Sequence, residues 1–106
     1  MMQDQTSQPE NSDLPPIEHA EIGADDFDRM LSDLSSCAVV ESIIVKARAQ
    51  AAEVKHLPPT ALAEIPAILQ ADETSSVQLR YTFEKLQYVD TIRRMDGGYS
   101  LVRMQA

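Results

Sequence analysis

The sequence predicts an α+β domain in which three helices are followed by a C-terminal β-hairpin. Apolar residues recur at helical spacing within residues 37–54, 61–71 and 75–87, and two β-rich stretches then flank a pair of glycines. The chain has 106 residues, which is enough to bury one modest hydrophobic core. We therefore expect a single compact domain.

The negative charge of the chain is concentrated in its first third. The formal net charge is −8, and residues 1–36 carry all of it, since they hold nine acidic side chains against a single Arg29. Residues 1–24 contain few apolar side chains, too few to offset the entropy lost on ordering. We expect residues 1–24 to be a disordered acidic tail and residues 37–106 to be the folded domain.

The sequence contains no sign of membrane insertion or secretion. It has no apolar run of about 18 residues, and its first residues lack the basic and apolar segments of a signal peptide. Cys37 is the single cysteine and has no partner for an intramolecular disulfide. These features predict a cytoplasmic protein without a membrane partner.

Residues 25–36 are predicted to form a short amphipathic helix and linker. Asp25 and Asp26 suit a helix N-terminus. Four apolar residues follow at spacings of three and four, namely Phe27, Met30, Leu31 and Leu34. This apolar stripe either packs on its own domain, the interpretation we favour, or docks into a groove of a partner.

The first helix of the domain is predicted over residues 37–54. On a helical wheel one face carries Val40, Ile43, Ile44, Ala47, Ala51 and Val54. Pro58 and Pro59 end this helix because proline cannot continue the hydrogen-bond ladder. A second helix over residues 61–71 is interrupted at Pro66, where it either kinks or begins a fresh turn.

A third helix is predicted from about Ser75 to Gln87, after a turn that contains Asp72 and Glu73. The pattern then changes to β-rich stretches at 88–95 and 99–104, separated by Asp96, Gly97 and Gly98. A β-hairpin in which Ile92 pairs with Tyr99 or Leu101 would cover the helices.

This order of elements resembles the winged helix-turn-helix superfamily. The stretch 83–89, Phe-Glu-Lys-Leu-Gln-Tyr-Val, is similar to the segment by which many such domains leave the recognition helix and enter the wing. Residues 97–101 are similar to the return strand of the wing. The resemblance covers roughly residues 37–104, and it departs from the family at Gln87, where a glycine is usual, and at Pro66.

The resemblance implies a DNA-binding surface. By position, the start of the third helix would read bases in the major groove, with the wing on phosphate or the minor groove. The residues carried over are Ser75, Ser76, Gln78 and Arg80 from the helix, with Arg93, Arg94 and Arg103 from the wing. For any one of them taken singly, an ordinary solvated charge is the simpler interpretation, and a neutral domain behind an acidic tail is poorly suited to binding phosphate.

Apolar residues on both sides of the predicted third helix suggest a different use. Val77, Tyr81 and Tyr88 lie roughly opposite Leu79 and Phe83 on the wheel. In one interpretation the segment 25–34 or the first helix covers this second stripe. In the other the stripe contacts a protein partner. In the second case Phe27, Met30, Leu31 and Leu34 would contribute to the same contact.

Catalysis is not predicted. His19 and His56 stand in no spacing that pairs them with Cys37 as a nucleophile or as metal ligands, and no glycine-rich phosphate loop is present. We expect no enzyme activity, no cofactor and no metal.

Two functional hypotheses follow. The first is a small winged-helix DNA-binding protein, a transcriptional regulator acting as a dimer or with a partner. The second is a protein-interaction module or accessory factor that has a winged-helix domain and does not bind DNA. A further possibility is that the acidic tail folds onto Arg80, Arg93 and Arg94 and inhibits DNA binding.

Overall fold

The computed structural model describes residues 17–47, 54–71 and 74–106. Within them the chain forms one six-stranded sheet in which all neighbouring strands are antiparallel. The strands are β1 (Ile17–Ile22), β2 (Val39–Ala47), β3 (Val54–Leu57), β4 (Thr74–Phe83), β5 (Leu86–Met95) and β6 (Gly98–Gln105). The helices are α1 (Ala24–Cys37) and α2 (Ile65–Gln70), and a 3₁₀ helix (Pro59–Glu64) leads into α2.

The strand order across the sheet is β1-β6-β5-β4-β2-β3. Strands β4, β5 and β6 follow one another as a meander, and β1 pairs with β6 at one edge. Because β1 and β2 are separated by three strands, α1 must cross the sheet to connect them. This crossing places α1 over one face of β6, β5 and β4.

Helix α1 forms where the amphipathic pattern predicts a helix. Asp25 and Asp26 lie in its first turn, where their negative charges interact favourably with the positive end of the helix dipole. Phe27, Leu31 and Leu34 are buried, and the Phe27 ring lies with its centroid 4.3 Å from that of Tyr99. The stripe therefore packs largely on its own domain.

The hydrophobic core lies between this side of the sheet and the helices. Alternate residues of β4, β5 and β6 point into it, as expected for a strand with one buried face. Its fully buried members include Phe27, Ile43, Ile65, Leu69, Val77, Leu79 and Ile92. We call this side of the sheet the helix side.

The predicted three-helix winged-helix fold is wrong. The described residues form a mainly antiparallel β domain with two helices, and this part of the chain contains neither a helix-turn-helix nor a wing. The element predicted as the first helix, residues 37–54, instead contains β2 and the start of β3, and residues 48–53 lie outside the described part. Five β-branched residues in the run 39–45 explain the difference, because such side chains favour the extended backbone.

The predicted third helix, residues 75–87, instead contains most of strand β4, the turn at Glu84 and Lys85, and the start of β5. Its apolar residues Val77, Leu79, Tyr81 and Phe83 alternate strictly with polar ones, which is the period of a strand. A helical wheel divides these four residues between two opposite faces, and this produced the two apolar stripes of the helical interpretation. In the sheet all four share the helix side.

Two local predictions agree with the structure. The chain between Pro59 and Gln70 is helical, and a fresh α-helical turn begins at Ile65 with Pro66 in its first turn. The C-terminal hairpin is formed by β5 and β6, with Ile92 opposite Leu101. It is not a wing, however, because β5 also pairs with β4 along most of its length.

The first 24 residues were expected to be a disordered tail. Residues 1–16 lie outside the described part of the chain, while Ile17–Ile22 form β1. Among the described residues, neither helix is long and apolar enough to cross a lipid bilayer.

Candidate functional site

A buried carboxylate lies in the middle of the sheet on the helix side. Asp90 of β5 is 0% exposed and stands in register between Leu79 of β4 and Arg103 of β6. A buried charge is costly unless it is paired and hydrogen-bonded, so its neighbours define the chemistry of this region.

Asp90 accepts three hydrogen bonds. Arg103 donates from Nε to Oδ1 and from Nη2 to Oδ2, both at 2.9 Å, and the Tyr81 hydroxyl donates to Oδ2 at 3.0 Å. The paired guanidinium geometry matches the two carboxylate oxygens and fixes both side chains. Asp90, Arg103 and Tyr81 are referred to below as the Asp90 cluster.

The environment of the cluster shifts two of its protonation equilibria. Burial raises the pKa of Tyr81, and the neighbouring negative charge of Asp90 raises it further. The hydrogen bond to Asp90 raises the pKa of Arg103 against the opposing effect of burial. Tyr81 therefore remains a neutral donor and Arg103 a cation throughout the physiological pH range.

Aromatic rings extend the cluster toward the surface. The rings of Tyr81 and Tyr88 are stacked with centroids 5.5 Å apart. The Arg103 guanidinium carbon lies 5.8 Å from the Tyr81 centroid and 6.0 Å from that of Tyr88. These distances lie within the range of cation–π attraction, so Tyr88 is held in place by both neighbours.

The cluster lies beside an open groove between α1 and the sheet, with a volume of about 730 Å³. One wall is formed by Met30, Leu34 and Cys37 of α1. The opposite wall consists of Tyr81, Phe83, Tyr88 and Arg103 from three strands. We call this cavity the α1 groove.

Charged residues surround the α1 groove. Glu18, Asp26 and Asp33 are acidic, while Arg29 is paired with Asp26 at 3.5 Å on the exposed surface of the helix. The charge of Arg103 is already matched by Asp90. The rim of the groove is therefore negative, and its walls are mostly apolar or aromatic.

Four of the residues proposed for protein contact meet at the α1 groove, namely Tyr81, Tyr88, Met30 and Leu34. The other three are buried in the core: Phe27, Leu31 and Val77. The grouping of Tyr81 with Tyr88 arises from direct pairing of β4 with β5, not from a shared helix face.

The residues proposed for DNA contact do not form one surface. Ser75, Ser76, Gln78 and Arg80 lie on a strand instead of a recognition helix. Arg80 and Arg93 face the side opposite the helices, whereas Arg103 pairs with Asp90 and Arg94 donates to the Gln70 carbonyl oxygen at 2.8 Å. The strand geometry thus separates the cations that a winged helix would have placed together.

The aromatic residues lie on one side of the sheet only. All five aromatic side chains of the chain belong to the helix side: Phe27, Tyr81, Phe83, Tyr88 and Tyr99. Sheets that bind single-stranded nucleic acid stack bases on exposed aromatic rings. The sheet face opposite the helices offers no such ring.

The His, Cys, Asp and Glu side chains of the described part of the chain form no candidate metal site. There the structure contains no group of three or more His, Cys, Asp or Glu side chains placed to hold a metal ion. His19 is near Ser100 on the side opposite the helices, and Cys37 is exposed beside the α1 groove.

The sequence interpretation missed the Asp90 cluster, although a signal for it was present. In a strand, Tyr88, Asp90 and Ile92 share one face, so a carboxylate stands between two residues suited to a core. A turn centred on Asp96 and Gly97 then places Asp90 opposite Arg103. Reading the hairpin register would have predicted this ion pair.

Comparison with known proteins adds no family to this description. No protein-family model matches the chain, and no curated protein or solved structure is significantly similar to it. The similarity of residues 37–104 to winged helix-turn-helix domains is therefore a likeness of pattern that the fold contradicts.

Proposed function

We propose that this domain is a protein-interaction module that binds a segment of a partner protein in the α1 groove. The observation that carries the proposal is the composition of the groove, in which the half-buried Met30, Phe83 and Tyr88 offer apolar contacts below a negative rim. Methionine and tyrosine suit such surfaces because they provide a large contact area and adapt to a partner.

The rim selects the chemistry of the partner. Glu18 and Asp33 favour a segment that carries lysine or arginine beside its apolar residues, and they disfavour an acidic one, while the charge of Asp26 is offset by Arg29. The Asp90 cluster holds the wall of the groove that the sheet forms in one conformation, so little conformational entropy is lost on binding. Since Cys37 is a free thiol beside the groove, we place the module in a reducing compartment, the cytoplasm.

The test uses labelled peptides of defined chemistry. One set contains leucine or phenylalanine next to lysine, and the matched set replaces each lysine with glutamate. Fluorescence anisotropy with the full chain should give saturable binding for the lysine set and little for the glutamate set. Amide chemical shifts should change at residues of the α1 groove.

Two charge reversals on the same helix provide the control. Asp33 lies on the rim, while Asp25 is exposed on α1 and does not line the groove. Asp33→Lys should weaken binding of the lysine peptides about tenfold, a loss of roughly 1.4 kcal/mol, and Asp25→Lys should change it far less. Absence of binding by every peptide, or equal effects of the two reversals, would overturn the proposal.

A further inference from the structure

The face of the sheet opposite the helices is uncovered within the described residues. Both helices and the 3₁₀ helix pack on the helix side, where they share one core with the sheet. Strand alternation places Val89 on this second side, and Val89, which is 8% exposed, is not part of the core on the helix side. We call this second surface the open face.

The open face carries more exposed apolar side chains than a solvated sheet surface needs, beside the exposed Arg80 and Arg93. Five large apolar side chains are exposed in the described part of the chain, and strand register places four of them here: Val39, Val54, Met95 and Met104. Ile44 and Val102 are half-buried on the same face. A sheet with one face toward water normally alternates apolar and polar residues cleanly, so this composition indicates a covered surface.

One row of side chains crosses the entire open face. In strand order it reads His19, Val102, Thr91, Gln78, Ile44 and His56. A histidine stands at each edge, an aliphatic residue comes next from each side, and two hydrogen-bonding residues occupy the centre. The row is therefore nearly symmetric in chemistry about the boundary between β5 and β4.

The adjacent row carries opposite charges toward opposite edges of the sheet. Glu21 lies on β1 at one edge, Arg93 lies on β5 near the centre, and Lys46 lies on β2 near the other edge, next to Val54 of β3. All three charged side chains are exposed. When a second copy is turned around, Glu21 comes near Lys46 of that copy, and Arg93 faces its uncharged Ser76.

We infer that the open face binds the open face of a second copy of this chain. The two-fold axis runs parallel to the strands, between β5 and β4. Each row of side chains therefore faces the same row of the second copy. Val102 then lies near Ile44 of the second copy, and Glu21 lies one strand away from the second copy's Lys46. Such an isologous contact is the usual form of a homodimer interface.

The size of the open face is sufficient for this contact. A third row of side chains on this face consists of Met104, Val89 and Arg80. Six strands spaced about 4.8 Å apart and three rows of side chains give an area of roughly 25 Å by 20 Å per copy. Burying it on both copies removes about 1,000 Å² from water, which is the lower limit for a specific interface. The inferred dimer is therefore in equilibrium with the monomer, and its population rises with protein concentration. Both α1 grooves remain accessible on the outer sides of the dimer.

The experiment is sedimentation velocity on the full chain, from low micromolar to several hundred micromolar concentration. The expected result is a shift from monomer to dimer mass as the concentration rises. Glu21→Lys and Lys46→Glu should each weaken association about tenfold. The double variant should recover association because it reverses both members of each charge pair, and both residues are exposed, so the fold is retained.

Asp33→Lys serves as the control, because it alters the α1 groove on the other side of the sheet and should leave association unchanged. A monomer at every concentration would overturn the inference. So would a dimer that tolerates both single charge reversals, or one that the double reversal fails to restore. Peptide binding to the groove is measured separately, so this test and that of the proposed function fail independently.

Discussion

Asp90 and Arg103 face each other across β5 and β6 and are joined by two hydrogen bonds of 2.9 Å. The two partners differ in burial, since the side chain of Asp90 is 0% exposed and that of Arg103 is 29% exposed. Loss of one partner leaves the other charge without compensation, and the resulting loss of folding free energy grows with the burial of the remaining charge. The pair should therefore respond differently to substitution on its two sides.

Arg103→Met should destabilise the protein by about 3 kcal/mol, because it leaves the carboxylate of Asp90 buried with only the Tyr81 hydroxyl as donor. Asp90→Asn should cost less, about 1–2 kcal/mol, because the more exposed Arg103 can be hydrated. Urea unfolding followed by circular dichroism measures both free energies. A larger loss for Asp90→Asn than for Arg103→Met would contradict the asymmetry.

Tyr81 should titrate at unusually high pH. Burial and the charge of Asp90 raise its pKa in the folded protein, so the folded state holds the phenol proton more tightly than the unfolded state does. This contribution to stability is fully present below the ordinary tyrosine pKa of about 10 and is lost as the pH rises further. The ultraviolet absorbance of tyrosinate follows this titration as the pH rises.

Tyr81→Phe is the corresponding control for this titration. The step at the highest pH should disappear in the variant, together with the part of the alkaline loss of stability that Tyr81 causes. If the variant and the unmodified protein give the same final step, the assignment to Tyr81 is wrong.

The turn between β4 and β5 should be open to stabilisation. Glu84 and Lys85 have φ angles of 51° and 71°, so two residues with side chains occupy the left-handed region. A two-residue hairpin turn of this kind favours Asn-Gly, because glycine has no steric penalty there. Glu84→Asn combined with Lys85→Gly should raise the free energy of unfolding by about 0.5–1 kcal/mol, measured by thermal and urea unfolding.

The turn between β5 and β6 provides the reverse control. Gly97 already occupies the left-handed region with φ of 81°, so Gly97→Ala should destabilise the protein by about 1 kcal/mol. Opposite signs for the two turns are the expected result. A loss of stability in both would show that Glu84 and Lys85 make contacts that outweigh their backbone cost.

The elements that could be predicted from the sequence are those decided by nearby residues. Helix α1 has a single apolar stripe from Phe27 to Leu34, and the hairpin of β5 and β6 is marked by Asp96-Gly97 between two β-rich stretches. Strand β4 was misread because Val77 and Tyr81 stand four residues apart, as do Leu79 and Phe83. Those spacings fit a helix as well as a strand when longer-range pairing is unknown.

The remaining features depend on pairing between distant segments. Strand β1 is short, with the sequence Ile-Glu-His-Ala-Glu-Ile, and its place is fixed by pairing with β6, about 80 residues later in the chain. The α1 groove likewise requires Met30 and Tyr88 to meet from separate elements. Local patterns identified several of these residues as candidates for protein contact but not the cavity that joins four of them.

Gly98 should be intolerant of any side chain. A Cβ atom at this position would collide with the backbone carbonyl oxygen of Ile22, where the end of β1 passes the start of β6. Because the obstacle is backbone, relief requires β1 to separate from β6, and Gly98→Ala should cost more than about 2 kcal/mol of unfolding free energy.

Gly23→Ser is the matched variant, since a Cβ there meets nothing within 4 Å and serine is a better helix N-cap than most residues. Urea unfolding should place Gly23→Ser within about 0.5 kcal/mol of the unmodified protein, or above it. Hydrogen exchange should show lost amide protection in β1 for Gly98→Ala alone, and unchanged protection there would mean that β1 is not held against β6 as described.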